Sequence, residues 1–359
     1  LILAGDALGQ DGAIATHQRH RGFIAAGFDA ENQGASHGVQ LGAPLPIRNS
    51  RAMAAAMTFK IGTRGSPLAL AQAHMTADAL KAAHGWGDTD VEIIIIHTTG
   101  DKVQGRALAE IGGKALWTKE LDAALLDGRI DIGVHSMKDV ETILKDGIVL
   151  PAMLPRADVR ETLIGADSIA ALKHGALVGT SSPRRAAQLK AQRPDIRTEI
   201  LRGNVATRLA KVEQGAIDAT LLAAAGLSRL GMQVGSTIPT DQMLPASAQG
   251  AVGITARAGD GETLARLAAI NHQPTLDCVL LERGFLAALG GTCHSPVAAL
   301  AQFVGDSVQF RGQIFAEDGS EVQEGEFAGP LAAAPAAIAA LAARLLAQAG
   351  PALRGLFNP

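Results

Sequence analysis

The chain has 359 residues, 47% hydrophobic and 19% charged, a composition that fits a globular protein with room for two or three domains. A net charge of -3 supplies no field to draw it onto nucleic acid or an anionic membrane, and 3% aromatic residues with no Tyr leave little for base stacking. Two cysteines, Cys278 and Cys293, make no disulfide framework and suit a reducing, cytoplasmic setting, and no apolar run is expected to reach the ~18 residues of a membrane span.

Residues 1 to 56 are rich in Gly, Ala, His and Gln without sustained periodicity. They lack the basic start, apolar centre and small-residue cleavage site of a secretory signal, and Asp6, Asp11, Asp29 and Glu31 argue against an organellar transit peptide. They read as a disordered leader, with Met53 or Met57 the natural first residue; a short regulatory extension is the alternative.

From Phe59 the pattern becomes orderly. Phe59–Thr63 reads as a strand, Ser66 as an N-cap and Pro67 as the first position of a helix over Leu68–Ala83. Val91–His97 is a nearly pure β-branched strand, expected to be buried on both faces. Gly100–Gly113 is a loop, and a helix over Leu116–Leu126 stops at Gly128. The next strand, from Ile130, breaks at His135-Ser136-Met137-Lys138-Asp139 with no Gly or Pro to account for the break. Polar groups at the end of a buried strand occupy the place where α/β proteins put ligands. The alternative is a strand end solvated by ordinary loop residues.

The same grammar then repeats. Strand Ala176–Gly179 leads through Thr180-Ser181-Ser182-Pro183 into a helix from Arg184, matching Gly62–Pro67 in kind. Gly215-Ala216-Ile217-Asp218 matches Gly128-Arg129-Ile130-Asp131, and Arg197–Leu201 takes the place of Val91–His97. The expectation is two related α/β lobes facing a cleft lined by helix N-termini, which favour anions. Arg64, Lys114, Lys138, Arg184, Arg185, Arg202 and Arg208 recur at these joints, a pattern suited to a polycarboxylate. Phosphate is the rival anion, but no GxxxxGK[ST] loop is present.

The third region begins near Pro274, with a helix over Leu276–Leu289 broken by Gly290-Gly291. Cys293 follows in an accessible loop and lacks metal-ligand spacing; an inert loop thiol is the alternative. Ser307–Phe315 and Glu321–Phe327 form a hairpin around Asp318-Gly319, and an Ala-rich helix over Ala336–Ala349 completes a small α+β module.

Seven motifs fall in order: TRGSPLAL, GGKALWTKEL, DIGVHSMKDV, GTSSPRRAAQL, LRGNVATRL, LPASAQGAVGI and LGGTCHSPVA. Together they resemble the porphobilinogen deaminase (hydroxymethylbilane synthase) family, from Phe59 to the last helix. The resemblance implies two lobes of the type II periplasmic-binding-protein kind and a C-terminal module. The expected divisions are 57–153 with 251–270, then 157–246, then 274–359, with the return crossing near Gln249–Gly253. It implies head-to-tail condensation of four porphobilinogen molecules with release of ammonia, primed by a dipyrromethane cofactor held through a thioether. By the resemblance Cys293 is the attachment site and Asp139 the catalytic aspartate. Arg64, Ser66, Lys114, Ser136, Lys138, Thr180, Ser182, Arg184, Arg185, Arg202, Gly203 and Arg208 match cofactor-binding positions. A cytoplasmic monomer without nucleic-acid or membrane partners is expected. Three positions depart from the family pattern: Glu110 for a frequent Lys, Trp117 for Phe, and Glu141 for the Pro that usually follows KDV. A rival of another class is a two-lobed dicarboxylate binder without chemistry; the absence of a secretion signal counts against it.

Overall fold

The computed structural model describes residues 58–97 and 118–357; the leader, Glu110, Lys114 and Trp117 lie outside the described residues. Strand β1 (Phe59–Thr63) runs into α1 (Pro67–His84), followed by β2 (Val91–Ile95), α2 (Lys119–Leu126), β3 (Ile132–Ser136) and β4 (Ile148–Met153). The chain then crosses into a second set: β5 (Glu161–Ile164), β6 (Leu177–Gly179), α3 (Pro183–Gln192), β7 (Arg197–Glu199), α4 (Val205–Glu213), β8 (Ala219–Ala223), α5 (Ala224–Arg229) and β9 (Ser236–Ile238). It returns as β10 (Val252–Arg257), which lies antiparallel between β3 and β4.

The two sheets have the orders β2-β1-β3-β10-β4 and β7-β6-β8-β5-β9. They match strand for strand, the first three parallel and the last two joints antiparallel in each. The repeat extends to single hydrogen bonds. Asp131 accepts the Lys60 backbone N–H at 2.7 Å, and Asp218 accepts that of Leu177 at 2.8 Å. Each of these aspartates also donates its own N–H to the same partner's carbonyl at 2.9 Å. The Gly-x-Ile-Asp joints seen in the sequence are therefore side-chain staples that set where the third strand enters each sheet. Both lobes open their first helix alike, Ser66 accepting from the Ala69 N–H and Ser182 from the Arg185 N–H, each followed by Pro.

β2 differs from expectation. It is an edge strand, with Glu92 exposed and Ile95 45% exposed. Its β-branched run reflects strand propensity on a half-covered edge rather than burial on two faces.

After β10, α6 (Gly261–Ala268) packs Leu264 and Leu267 into the core of the first lobe. The last region holds α7 (Gln273–Ala288), the antiparallel sheet β11 (Val297–Val304), β12 (Ser307–Phe315) and β13 (Val322–Pro330), then α8 (Ala334–Gln348) and α9 (Pro351–Arg354). Phe285 of α7 meets Phe310 of β12 edge-on at 5.2 Å, at the centre of a core shared with α8. β11 was not legible as a strand because both its faces are apolar. Val297, Ala299 and Ala301 face this core, while Ala298 and Leu300 face Ala187 and Leu244 of the second lobe. Among the described residues one stretch, Leu331–Gln348, is long and apolar enough by length and composition to cross a membrane, against the expectation that no run reaches that size. Its apolarity is largely alanine, and its Ile338, Leu341, Ala342, Leu345 and Leu346 are buried in the core with α7.

The two lobe crossings meet the third region at one carboxylate. Arg156, on the outgoing crossing, grips Glu282 of α7 with both terminal nitrogens at 2.7 and 2.9 Å. Glu282 is fully buried and also accepts the N–H groups of Ala248, on the return crossing, and Ala301, on β11. Removing either partner strands a buried charge, a loss of ~3–5 kcal/mol. We expect Arg156→Met and Glu282→Gln each to lower the free energy of unfolding by that order and the urea midpoint with it. The double variant Arg156→Met/Glu282→Met should not recover, because the Ala248 and Ala301 N–H groups remain unpaired; equilibrium unfolding measures this.

Candidate functional site

β3 is buried through His135, and the chain then makes one tight turn over Met137–Asp139. The turn needs no Gly or Pro of its own because its neighbours enforce it. Met137 and Val140 point inward, into a cluster with Met153, Ala248, Ala251, Leu276 and Val279. The Met137 N–H donates to the Ala251 carbonyl at 3.1 Å, and a Cβ on Gly253 would overlap the Met137 sulfur, so that glycine makes room for the turn. With Met137 and Val140 turned in, Lys138 and Asp139 turn out.

His135 is buried, its Nε2 2.9 Å from Thr255 Oγ1. Burial, then the charges of Arg283 and Arg64, lowers its pKa to about 4, so it is a neutral ring at physiological pH. Ser136 is within hydrogen-bond range of both polar atoms of the Gln72 amide, at 2.8 and 3.1 Å. Lys138 is half-buried and donates to Gln249 Oε1 at 3.3 Å. Burial and the Arg185 charge draw its pKa down to about 8 against the opposing pull of Asp139 and Glu161. Asp139 is exposed, and its charge acts on Lys138, on Arg208 of the second lobe and on the thiol of Cys293. Groups from all three parts of the chain thus converge on one carboxylate.

Cys293 sits half-buried in the loop after α7, where Ser295 Oγ accepts the Thr292 N–H and Thr292 Oγ1 accepts the His294 N–H. That loop is tied to the focal turn. Thr142 donates to the Gly291 carbonyl at 3.0 Å, and Arg283 donates to the carbonyls of Val140, Glu141 and Thr142. Cys293 Sγ lies 3.9 Å from Glu141 Oε1. Burial, then Glu141 and Asp139, pushes the thiol up to about 12.

The second lobe supplies the opposite wall. Arg184 is only 3% exposed and is held by Glu161, Gln188 and the Leu244 carbonyl. Arg185 grips both oxygens of Glu161 and the Leu221 carbonyl. Their carboxylate partner is thus one from the protein, at the first residue of β5. Burial alone would raise the Glu161 pKa, but Arg185 and Arg184 override it and hold the group well below the usual carboxylate range. Thr180 is buried, its Oγ1 accepting the Ser182 N–H, and Ser66 and Ser182 cap their helices, each hydroxyl keeping its O–H free to donate.

Arg202 and Arg208 are the half-buried cations of this wall. No hydrogen bond or ion pair engages Arg202 among the described residues. Arg208 bends back to the Gly203 carbonyl at 3.0 Å, and burial, then Arg185, lowers it to about 10. Gly203 has φ 108, and a Cβ there would fall 2.8 Å from Thr207. Arg64 is half-buried at the joint of β1 and α1.

Sequence reasoning did not find Gln72, Glu161, Gln249 or Arg283. Two of them left a signal. Glu161 stands directly before Thr162-Leu163-Ile164, at the start of a strand-like stretch, and Glu282-Arg283 interrupts Leu280-Leu281 and Phe285-Leu286. Charges inside a core pattern imply buried partners.

Two family models match the chain: "Porphobilinogen deaminase, dipyromethane cofactor binding domain" over residues 59–265, and "Porphobilinogen deaminase, C-terminal domain" over residues 276–347. The chain is 55% identical to a porphobilinogen deaminase of Sphingopyxis alaskensis over 83% of its length and 96% of the relative's. It is 51% identical to one of Paracoccus denitrificans, covering 76% of this chain and 89% of that one. It is 50% identical to a chloroplastic one of Oryza sativa, covering 78% and 80%. A periplasmic substrate-binding protein from Coxiella burnetii is 16% identical, covering 61% of this chain and 94% of that one with a TM-score of 0.38, a likeness too slight to carry weight. The seven ordered motifs, the paired lobes around Asp139 and the Cys293 loop all lie within the matched spans, and the chain belongs to the porphobilinogen deaminase family.

Proposed function

We propose that this protein is a transferase that condenses four porphobilinogen molecules head to tail, releasing ammonia and giving hydroxymethylbilane, on a dipyrromethane primer joined to Cys293. The observation that carries this reading is that the turn bearing Asp139 is tied both to the Cys293 loop, through Thr142 and Arg283, and to the return crossing, through Lys138 and Gln249. The residues suit the primer: a half-buried thiol for the thioether, and Lys138, Arg202 and Arg208 for its acetate and propionate groups. When bound, the dipyrromethane supplies the pyrrole carbon to which each substrate is added.

The chain's own residues divide the remaining work. Loss of ammonia from porphobilinogen leaves a cationic methylene, and the exposed Asp139 carboxylate, on a turn locked by Met137 and Val140, stabilises that charge. Arg64, Arg202 and Arg208 orient the substrate carboxylates. Lys114 is assigned to the same set by its motif. Arg184 and Arg185 shape the wall through Glu161, and the capped helix starts at Ser66 and Ser182 add partial positive charge. In this reading residues 57–153 with 251–270, 157–246 and 274–359 act as three domains. The enzyme works as a monomer in the cytoplasm, where Cys293 stays reduced, without nucleic-acid or membrane partners.

Intact mass spectrometry tests the reading. The purified protein should carry a two-pyrrole adduct, and Cys293→Ala should carry none. Asp139→Asn should keep the adduct while single-turnover rates fall ~10²–10⁴-fold. An adduct on Cys293→Ala, or normal turnover by Asp139→Asn, would remove the assignment.

The two kinds of arginine should also separate. Arg202→Leu should raise KM without moving the thermal midpoint. Arg184→Leu should cost ~3 kcal/mol of stability, because Glu161 stays buried with one partner fewer. Thermal unfolding beside steady-state kinetics distinguishes them.

Lys138 gives a pH signature. Its lowered pKa means the charge is present below about pH 8 and is lost as pH rises through that value. KM should therefore climb above pH 8 in the wild type. In Lys138→Arg the climb should flatten, since guanidinium stays charged. A wild-type KM that is flat to pH 9 would exclude Lys138 from carboxylate binding.

A further inference from the structure

Glu141 is the family departure that ends up beside the reactive sulfur. Its carboxylate oxygen is 3.9 Å from Cys293 Sγ, long for a hydrogen bond but of the kind that closes when a reacting group arrives. The contact is built rather than incidental. Arg283 is buried and clamps the backbone carbonyls on both sides of Glu141, and Thr142 ties the same segment to the Gly291 carbonyl in the cysteine loop. Base and thiol are therefore held in one hydrogen-bonded unit.

We propose that Glu141 is the proton acceptor for attachment of the primer to Cys293, a role distinct from that of Asp139 in condensation. The proposal rests on Cys293 being the attachment site. In the step, porphobilinogen releases its aminomethyl nitrogen as ammonia and leaves a methylene cation conjugated with the pyrrole ring. A sulfur lone pair forms the S–C bond to that carbon, and the displaced π pair restores the neutral aromatic ring. The S–H bond breaks and its proton passes to a Glu141 oxygen, then to solvent. No oxidant or reductant is needed.

The charged groups facing the thiol explain why a carboxylate is the suitable base. Asp139 and Glu141 face it from the focal turn and Arg283 from α7, the guanidinium being engaged by three carbonyls. The two carboxylates oppose a free thiolate, so the sulfur attacks as a thiol. As sulfur bonds to carbon its proton becomes strongly acidic, and even a weak base positioned at the S–H accepts it. The same two charges draw in a cation and discourage anionic electrophiles. The thiol thus stays unreactive until the methylene cation forms beside it.

The test uses full-length wild type, Glu141→Gln, Glu141→Asp and Cys293→Ala, expressed in cells unable to make porphobilinogen so that each starts without the adduct. Each is mixed with porphobilinogen and its mass gain followed in time. Alkylation by iodoacetamide is measured in parallel across pH. Glu141→Gln should load ~10²-fold more slowly, with Glu141→Asp recovering part of the rate. Iodoacetamide should react faster with Glu141→Gln than with wild type at pH 8–9, because a negative neighbour has been removed from the thiol. A merely structural role moves both reactions the same way. Loading of Glu141→Gln at the wild-type rate, or loading and alkylation slowed together, overturns the proposal. If the wild type gains no adduct, or Cys293→Ala gains one, the attachment reading itself fails instead.

Discussion

The pair of Arg156 and the buried Glu282 is the joint on which the rest of the structure depends. The chain passes between its two lobes twice, and both crossings are pinned to the same carboxylate, which is itself carried by a helix of the third region. A carboxylate with no access to water is stable only when its lone pairs are matched. Glu282 meets that condition with two guanidinium bonds and two backbone N–H bonds. The crossing accepts local strain to reach it: Ala248 sits at φ 61, the one positive-φ residue other than glycine among the described residues. A left-handed alanine costs on the order of 1 kcal/mol and persists because its surroundings over-determine it.

From that joint the constraint reaches the site in one step. Gln249, next to Ala248, receives the Lys138 ammonium on one amide atom and donates to the Val159 carbonyl with the other. Lys138 therefore reads the position of the crossing, and Asp139 is its neighbour on the same turn. Met137 and Val140, packed against Ala248 and Ala251, carry the same constraint through apolar contact.

Charge is distributed so that a slightly acidic chain holds a basic wall. Glu161 binds both Arg184 and Arg185 and offsets one of their two positive charges, while Arg202, Arg208 and Lys138 are half-buried. On the other side, Asp139 and Glu141 surround the thiol with negative charge. A substrate whose carboxylates are anionic and whose reacting carbon turns cationic meets the matching sign at each end.

The sequence by itself determined the lobes' repeat, the focal stretch and the cysteine loop. Those features are local: a strand followed by Gly-Thr and Ser-Pro, an Asp after Gly-x-Ile, and a Cys among glycines, each expressed within a few residues. Burial, partner choice and pairing across distant segments were decided only in three dimensions. β2 has the composition of an internal strand, yet it lies at an edge because nothing in its own residues reports its neighbours. β11 hides its alternation because both faces meet apolar surfaces from different parts of the chain. Arg184 and Arg202 look alike beside their strands, but one meets Glu161 from β5 and the other does not. Glu141 read as a missing proline until the fold brought Cys293 to it. A side chain's type is written in the sequence, but its electrostatic role depends on which charges tertiary packing sets within a few ångströms of it.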